Sequence, residues 1–259
     1  MTLTWIYALS AVFAVSLISL AGIFTLKFRR ARLQKFISFT VSLSVGALFA
    51  DAFIHLIPEA YEEVSDTTDA AIFVVLGILV FFILEKFLEW KHSHGELEET
   101  FETEAEHDHG RIKPVGILVL FSDGVHNIID GVIIGASFLV SPSLGIASTI
   151  AILLHEIPHE IADYGILLHS GFKRKKALFF NFLSAATAIL GTIVALSVGE
   201  SLEGIIPYVL AFGAGNFIYI AGSDLVPELK KSTGVKATLN QIIAIVVGIL
   251  FMIAITFFE

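Results

Sequence analysis

His155–Asp163 reads HEIPHEIAD, five ionisable side chains in nine residues, within a segment that is otherwise hydrophobic. On a helix, at ~100° per residue, His155, Glu156, His159, Glu160 and Asp163 fall within one arc about 140° wide. Upstream, FSDGVHNIIDG (Phe121–Gly131) repeats the device: Asp123, His126, Asn127 and Asp130, spaced by three and four, share a face about 100° wide. Both stripes can face a common interior, and such a run must be there to hold something.

The surroundings say what kind of interior. Of 259 residues 56% are hydrophobic, and mean hydropathy is +0.84, whereas soluble domains are roughly 45–50% apolar. The composition therefore predicts an all-α integral membrane protein. With no cysteine, disulfides, zinc–thiolate sites and thiol catalysis are excluded, and His and carboxylates are the strong metal ligands left. A net charge of −9 argues against nucleic acid as a partner. The first residues, MTLTWIYALS, lack the basic region of a signal peptide and read as the start of a spanning helix.

A span needs ~20 mostly apolar residues. Eight stretches qualify: 4–26, 36–60, 70–90, 114–140, 142–170, 175–199, 205–229 and 237–258. They form a single transmembrane domain over 1–259. Every Lys and Arg falls at alternate connections: Lys27 to Lys35, Lys86 to Lys113, Lys173 to Lys176 and Lys230 to Lys236. The excess of positive charge on the inner side then puts those connections in the cytoplasm and both termini outside it. The opposite loops are acidic (Glu59, Glu62, Glu63, Asp66, Asp69; Glu200, Glu203), which reads as solvated charge or as a vestibule that concentrates cations. The stretch 91–113 is a cytoplasmic loop rich in acids, with His92, His94, His107 and His109. It is either a flexible acidic linker or a loose, exchangeable zinc-binding one.

HLIPE (His55–Glu59) closes the second stretch and DLVPE (Asp224–Glu228) the seventh, on helices that run in opposite directions. That pairing suggests inverted-repeat triads around helices four and five, a 3+2+3 arrangement.

Energetics raise the stakes. An ionised residue at the bilayer centre costs ~2.5–3.5 kcal/mol, so the five carboxylates on helices four and five cost on the order of 10 kcal/mol unless protons, water or a bound cation offset them. Imidazole with carboxylate suits Zn²⁺, Fe²⁺, Mn²⁺ or Cd²⁺, and zinc leads. Pro158 removes a backbone bond in mid-helix and frees the carbonyl of Leu154; Pro58 and Pro227 do the same for Ile54 and Ser223, or merely kink helix ends. Gly131 and Gly135 form a face that allows close packing. HEIPH also satisfies H-E-x-x-H, so an intramembrane zinc metalloprotease using His155, Glu156 and His159 is the alternative. Its Asp-Gly would follow that motif, however, whereas Asp130-Gly131 precedes it.

HNIIDG (His126–Gly131) with HEIPHEIAD resembles the fourth- and fifth-helix signature of the ZIP family of divalent-metal transporters, in the subfamily whose fifth helix carries HEIPHE. DAFIHLIPEA on the second helix and NFIYIAGSDLVPEL on the seventh resemble the same group. The resemblance implies zinc transport toward the cytoplasm, not enzymatic activity. It implies metal held by His126, Asp130, His155, Glu156 and His159, with Asn127 and Glu160 nearby, and an elevator-like motion of helices one, four, five and six. Asp51, His55 and Asp224 would lie along the path on the scaffold side, with Asp123 and Asp163 as further stations. It also implies homodimers in a cell (inner) membrane. Ala162 stands where a Gly is common, and the Cys-Pro motif of many eukaryotic members is missing. NFLSAATAILG (Asn181–Gly191) has no carboxylate where some bacterial members supply one to a second metal, so a single main metal position is expected.

Overall fold

The computed structural model describes residues 2–22, 30–64, 66–101, 114–199, 203–231 and 234–258, and every regular element among them is helical. We number the rods α1 (Thr2–Ala21), α2 (Arg32–Glu62), α3 (Thr67–Phe101), α4 (Pro114–Val140), α5 (Pro142–His169), α6 (Arg174–Gly199), α7 (Ile206–Lys230) and α8 (Val235–Ile255). Seven of these, all but α5, are long and apolar enough to cross a membrane. α5 has the length, 28 residues, but its polar stripe lowers its hydropathy.

The ends follow local chemistry. Ser141 alone separates α4 from α5; its hydroxyl caps α5 by accepting from the Leu144 amide at 3.1 Å, and Pro142 takes the first turn. Gly171 closes α5 at φ 94°, while the Phe172 amide turns back to the Leu167 carbonyl (3.1 Å). The α3 backbone runs past the expected end at 90 to Phe101, where Glu, Leu and Lys sustain a helix. That length includes His92 and His94, whose side chains lie outside the described residues, as do His107 and His109 altogether.

α2 and α7 depart from α-helix in the same way. Asp51–Leu56 and Ile220–Leu225 are six-residue π turns, each ending two residues before a proline, Pro58 or Pro227. The amide of Ile57 reaches back to Ala52 and that of Val226 to Ala221. The prolines expected to kink the helix instead follow a widened turn. Pro158 lies inside α5, which runs on through it, and the Leu154 carbonyl that its missing N–H leaves free accepts from Ser44 Oγ of α2 at 2.7 Å.

Glycines set three close pairings. A Cβ on Gly46 would lie 2.1 Å from the Ile245 carbonyl oxygen, which joins α2 to α8. One on Gly215 would lie 2.0 Å from that of Val74, which joins α7 to α3. One on Gly131 would lie 1.9 Å from that of Ala188, so the small-residue face of α4 meets α6. Thr192 Oγ1 to the Gly131 carbonyl (2.9 Å) and Thr187 Oγ1 to the Gly124 carbonyl (2.7 Å) complete that seam.

Candidate metal centre

The stripes of α4 and α5 face each other. Nε2 of His126, Oδ2 of Asp130, Nε2 of His155 and Oε1 of Glu156 converge, all within 4.8 Å of one another. His126 Nε2 lies 3.3 Å from His155 Nε2, 3.2 Å from the Glu156 oxygen and 3.6 Å from the Asp130 oxygen. His155 Nε2 lies 3.2 Å from the Asp130 oxygen and 3.5 Å from that of Glu156. A regular tetrahedron around zinc, with bonds of about 2.0–2.1 Å, has ligand-to-ligand edges of about 3.3–3.4 Å. These five edges bracket that value.

The donors are also poised. His155 Nδ1 lies 3.1 Å from the Ala151 carbonyl oxygen; since a carbonyl only accepts, Nδ1 carries the proton and Nε2 keeps its lone pair for a cation. Neither oxygen of Asp130 nor Oε1 of Glu156 has a hydrogen-bond donor among the described residues. His155, Asp130 and Glu156 are buried, and the His126 side chain keeps 13% exposure. Phe81 of α3 lies edge-on to the His126 ring, and Phe217 of α7 against that of His155.

The other residues of the stripes sort differently. His159 is outside the converging four; its ring stacks on His126 at 5.6 Å and 7°. The two-histidine geometry of H-E-x-x-H is therefore not assembled: His155 is paired with His126 of another helix, and Glu156 sits among the donors. Asn127 is turned to Asp123, donating to its Oδ1 at 2.9 Å. Asp123, Glu156 and Glu160 form a second convergence. Beside the first lies a cavity of about 160 Å³, lined by His126, His159, Asp123, Asp163 and Asp224 among others. Asp51 and His55 lie on the π turn of α2, joined Oδ1 to Nδ1 at 3.0 Å, apart from the converging ligands.

Three residues went unread in the sequence. Glu85 and Tyr219 line the cavity and hydrogen-bond to each other across α3 and α7. Asn181 of α6 donates to Glu160. Only Asn181 had left a signal, a lone amide in an apolar helix.

A sequence model of the ZIP zinc transporter family matches residues 2–256. The chain is 32% identical over 290 residues to a metal cation symporter, ZIP14, of Xenopus tropicalis, a match covering 88% of this chain and 62% of that protein. It is 31% identical over 279 residues to a zinc transporter ZIP13 homolog of Drosophila melanogaster (86% and 78% covered). With zinc transporter ZIP13 of Mus musculus it shares 30% identity over 259 residues (88% and 71%). The chain thus spans about three fifths to four fifths of the length of these relatives. The family match extends over nearly the whole chain, the relatives are transporters and not enzymes, and the apolar helices make it a multi-pass membrane protein: this chain belongs to the ZIP zinc transporter family.

Proposed function

We propose that the protein carries divalent metal ions, zinc first, across a membrane toward the cytoplasm, with His126, Asp130, His155 and Glu156 as the ligands that hold the ion in transit. The observation that carries this reading is the set of five ligand-to-ligand distances between 3.2 and 3.6 Å, drawn from two facing helices. Fe²⁺, Mn²⁺ and Cd²⁺ accept the same donors and compete with zinc. The names of the relatives, which include zinc transporters and a metal cation symporter, support the same reading.

In this reading α5 spans the bilayer as an eighth helix, its charge offset by the ion it carries. The matched π turns of α2 and α7, and the matched pairings α2–α8 and α7–α3 through Gly46 and Gly215, support a 3+2+3 inverted repeat. The α4–α6 seam ties the ion-binding helices into one body with α1, and the cavity lies between that body and α3 and α7. An elevator-like movement of α1, α4, α5 and α6 against α2, α3, α7 and α8 then alternates access. With positive loops inside, the cavity faces the cytoplasm and both termini lie outside. His159, Asp163 and Asp224 are stations on the inner path, and Asp51 and His55 on the outer one. Asn127 and Glu160 flank the ligands, and His92, His94, His107 and His109 bind zinc loosely on the cytoplasmic side. The unit in the cell (inner) membrane is a homodimer.

Purified protein in liposomes loaded with a zinc-sensitive dye should admit zinc, and His155→Ala should abolish the signal. A His155→Ala protein that transports normally would overturn the site.

A further inference from the structure

Leu154 immediately precedes the ligand His155, and its carbonyl is the one that Pro158, four residues on and without an N–H, cannot serve. A carbonyl without a donor is costly at membrane depth, where neighbouring Ser and Thr side chains re-satisfy such groups. Here the donor is Ser44 Oγ of α2, at 2.7 Å. Ser44 is fully buried, and its hydroxyl also lies 2.8 Å from the Thr40 carbonyl of its own helix. A hydroxyl carries one proton, so the two carbonyls share it.

The side from which the donor arrives gives the bond its meaning. α5 packs on α1, α4 and α6, which are tied to one another and to α5 by side-chain bonds from Ser16 to Ala185, Thr192 to Gly131 and Asn181 to Glu160. Yet the donor to Leu154 comes from α2, which belongs to the opposite body and is joined to α8 at Gly46. The bond from Ser44 to Leu154 therefore crosses the boundary along which the two bodies slide. Other contacts on that boundary are between rings or apolar: Phe217 against His155, Phe81 against His126, and Ile133 beside Gly213. Contacts of that kind exchange partners as surfaces slide, whereas a hydrogen bond has to break. When it breaks, the Ser44 proton falls back on Thr40 and the Leu154 carbonyl is left without a donor. The cost therefore falls on the arrangement in which the bodies have moved.

We propose that Ser44 is a positioning residue for transport, a latch that acts through the Leu154 carbonyl to hold α5 in the arrangement whose cavity lies open beside His126 and His159. The inference rests on the transport reading, since it needs two bodies that move. Side-chain hydrogen bonds between membrane helices shift an equilibrium by about three- to twentyfold. That is enough to decide which arrangement prevails and weak enough to be broken in every cycle.

Because the chain has no cysteine, a single introduced thiol reports the arrangement. Ser122→Cys places it on the cavity wall, at a position that is not one of the four ligands. Protein in detergent is reacted with a bulky maleimide, and the labelling rate follows the fraction of chains whose cavity is open. Adding Ser44→Ala should slow labelling by about twofold or more, a change that misfolding cannot mimic because unfolding speeds labelling. Ser44→Thr keeps the hydroxyl and should label like the parent. Pro158→Ala supplies an amide to the Leu154 carbonyl and should also slow labelling, and Ser44→Ala should add little in that background. Zinc flux in liposomes separates the two readings. Flux present with labelling unchanged in Ser44→Ala, or labelling slowed as much in Ser44→Thr as in Ser44→Ala, would overturn the latch and leave transport standing. Absence of flux in the wild type would overturn the transport reading, and the latch with it.

Discussion

Gly131 follows the ligand Asp130 and touches α6, so adding one methyl group there tests how tightly the site depends on the α4–α6 seam. In Gly131→Ala the new carbon would sit 1.9 Å from the Ala188 carbonyl oxygen and 2.7 Å from its carbon. Ordinary contact needs about 3.4 Å or more, so the helices must part by an ångström or more at this point. Overpacking of this size costs about 1–3 kcal/mol. Parting also stretches the bond from Thr192 Oγ1 to the Gly131 carbonyl, now 2.9 Å, worth about 0.6 kcal/mol within a membrane. The helix propensity of Ala returns at most about 1 kcal/mol. A net loss of roughly 1–3 kcal/mol follows. More telling is Asp130, which must move with its neighbour although its carboxylate is 3.2 Å from His155. Thermal unfolding in detergent, with and without zinc, separates the two effects. Gly131→Ala should unfold at lower temperature and lose most of the zinc-dependent stabilisation. Gly165→Ala, where nothing lies within 4 Å of the added carbon, should do neither. A Gly131→Ala protein with wild-type stability and zinc response would refute the idea that backbone contact with α6 sets the ligand geometry.

Other perturbations probe separate parts. His126→Ala removes one corner of the tetrahedron and should lower zinc affinity by more than about 100-fold, beyond the range for supporting residues, as measured by competition with a chelating dye. Ser44→Ala leaves the Leu154 carbonyl exposed by Pro158 without its donor; it should cost about 1–2 kcal/mol in thermal unfolding. Asp66 accepts from the Thr68 amide at 2.8 Å, which holds its carboxyl below the usual value. Its folded-state value being depressed, the stabilisation is present above the unfolded value of about 3.9 and is lost as pH falls through the folded one. Asp66→Ala should therefore speed amide exchange at the start of α3 at pH 7, and the difference from wild type should shrink as pH falls below the unfolded value and through the depressed folded one.

Much of the architecture was legible because membrane helices announce themselves by length and composition. The stripes at Asp123–Asp130 and His155–Asp163 were legible because a buried charge has no innocent explanation in a bilayer. The tie between HLIPE and DLVPE was legible as five letters, but its physical content was not. The shared feature is the π turn ahead of each proline, and no propensity scale reports an extra residue in a helical turn. Likewise the proline at 158 predicted a released carbonyl, while the donor that takes it, Ser44, lies on another helix and could be found only in three dimensions.

The ligand set itself shows where sequence periodicity ends. His155 and His159 are one turn apart on one face, and so are Asn127 and Asp130 within the opposite stripe. By spacing alone all four are equal candidates. What separates them is the crossing of α4 and α5, which brings Nε2 of His126 and His155 to 3.3 Å and leaves His159 stacked against His126 on the cavity side. A second filter is local hydrogen bonding. The Ala151 carbonyl fixes the proton of His155 on Nδ1, and Asp123 holds the Asn127 amide away from the four ligands. Both stripes were needed to infer a cation, but which of their residues converge as ligands depends on contacts between helices that no single stripe contains.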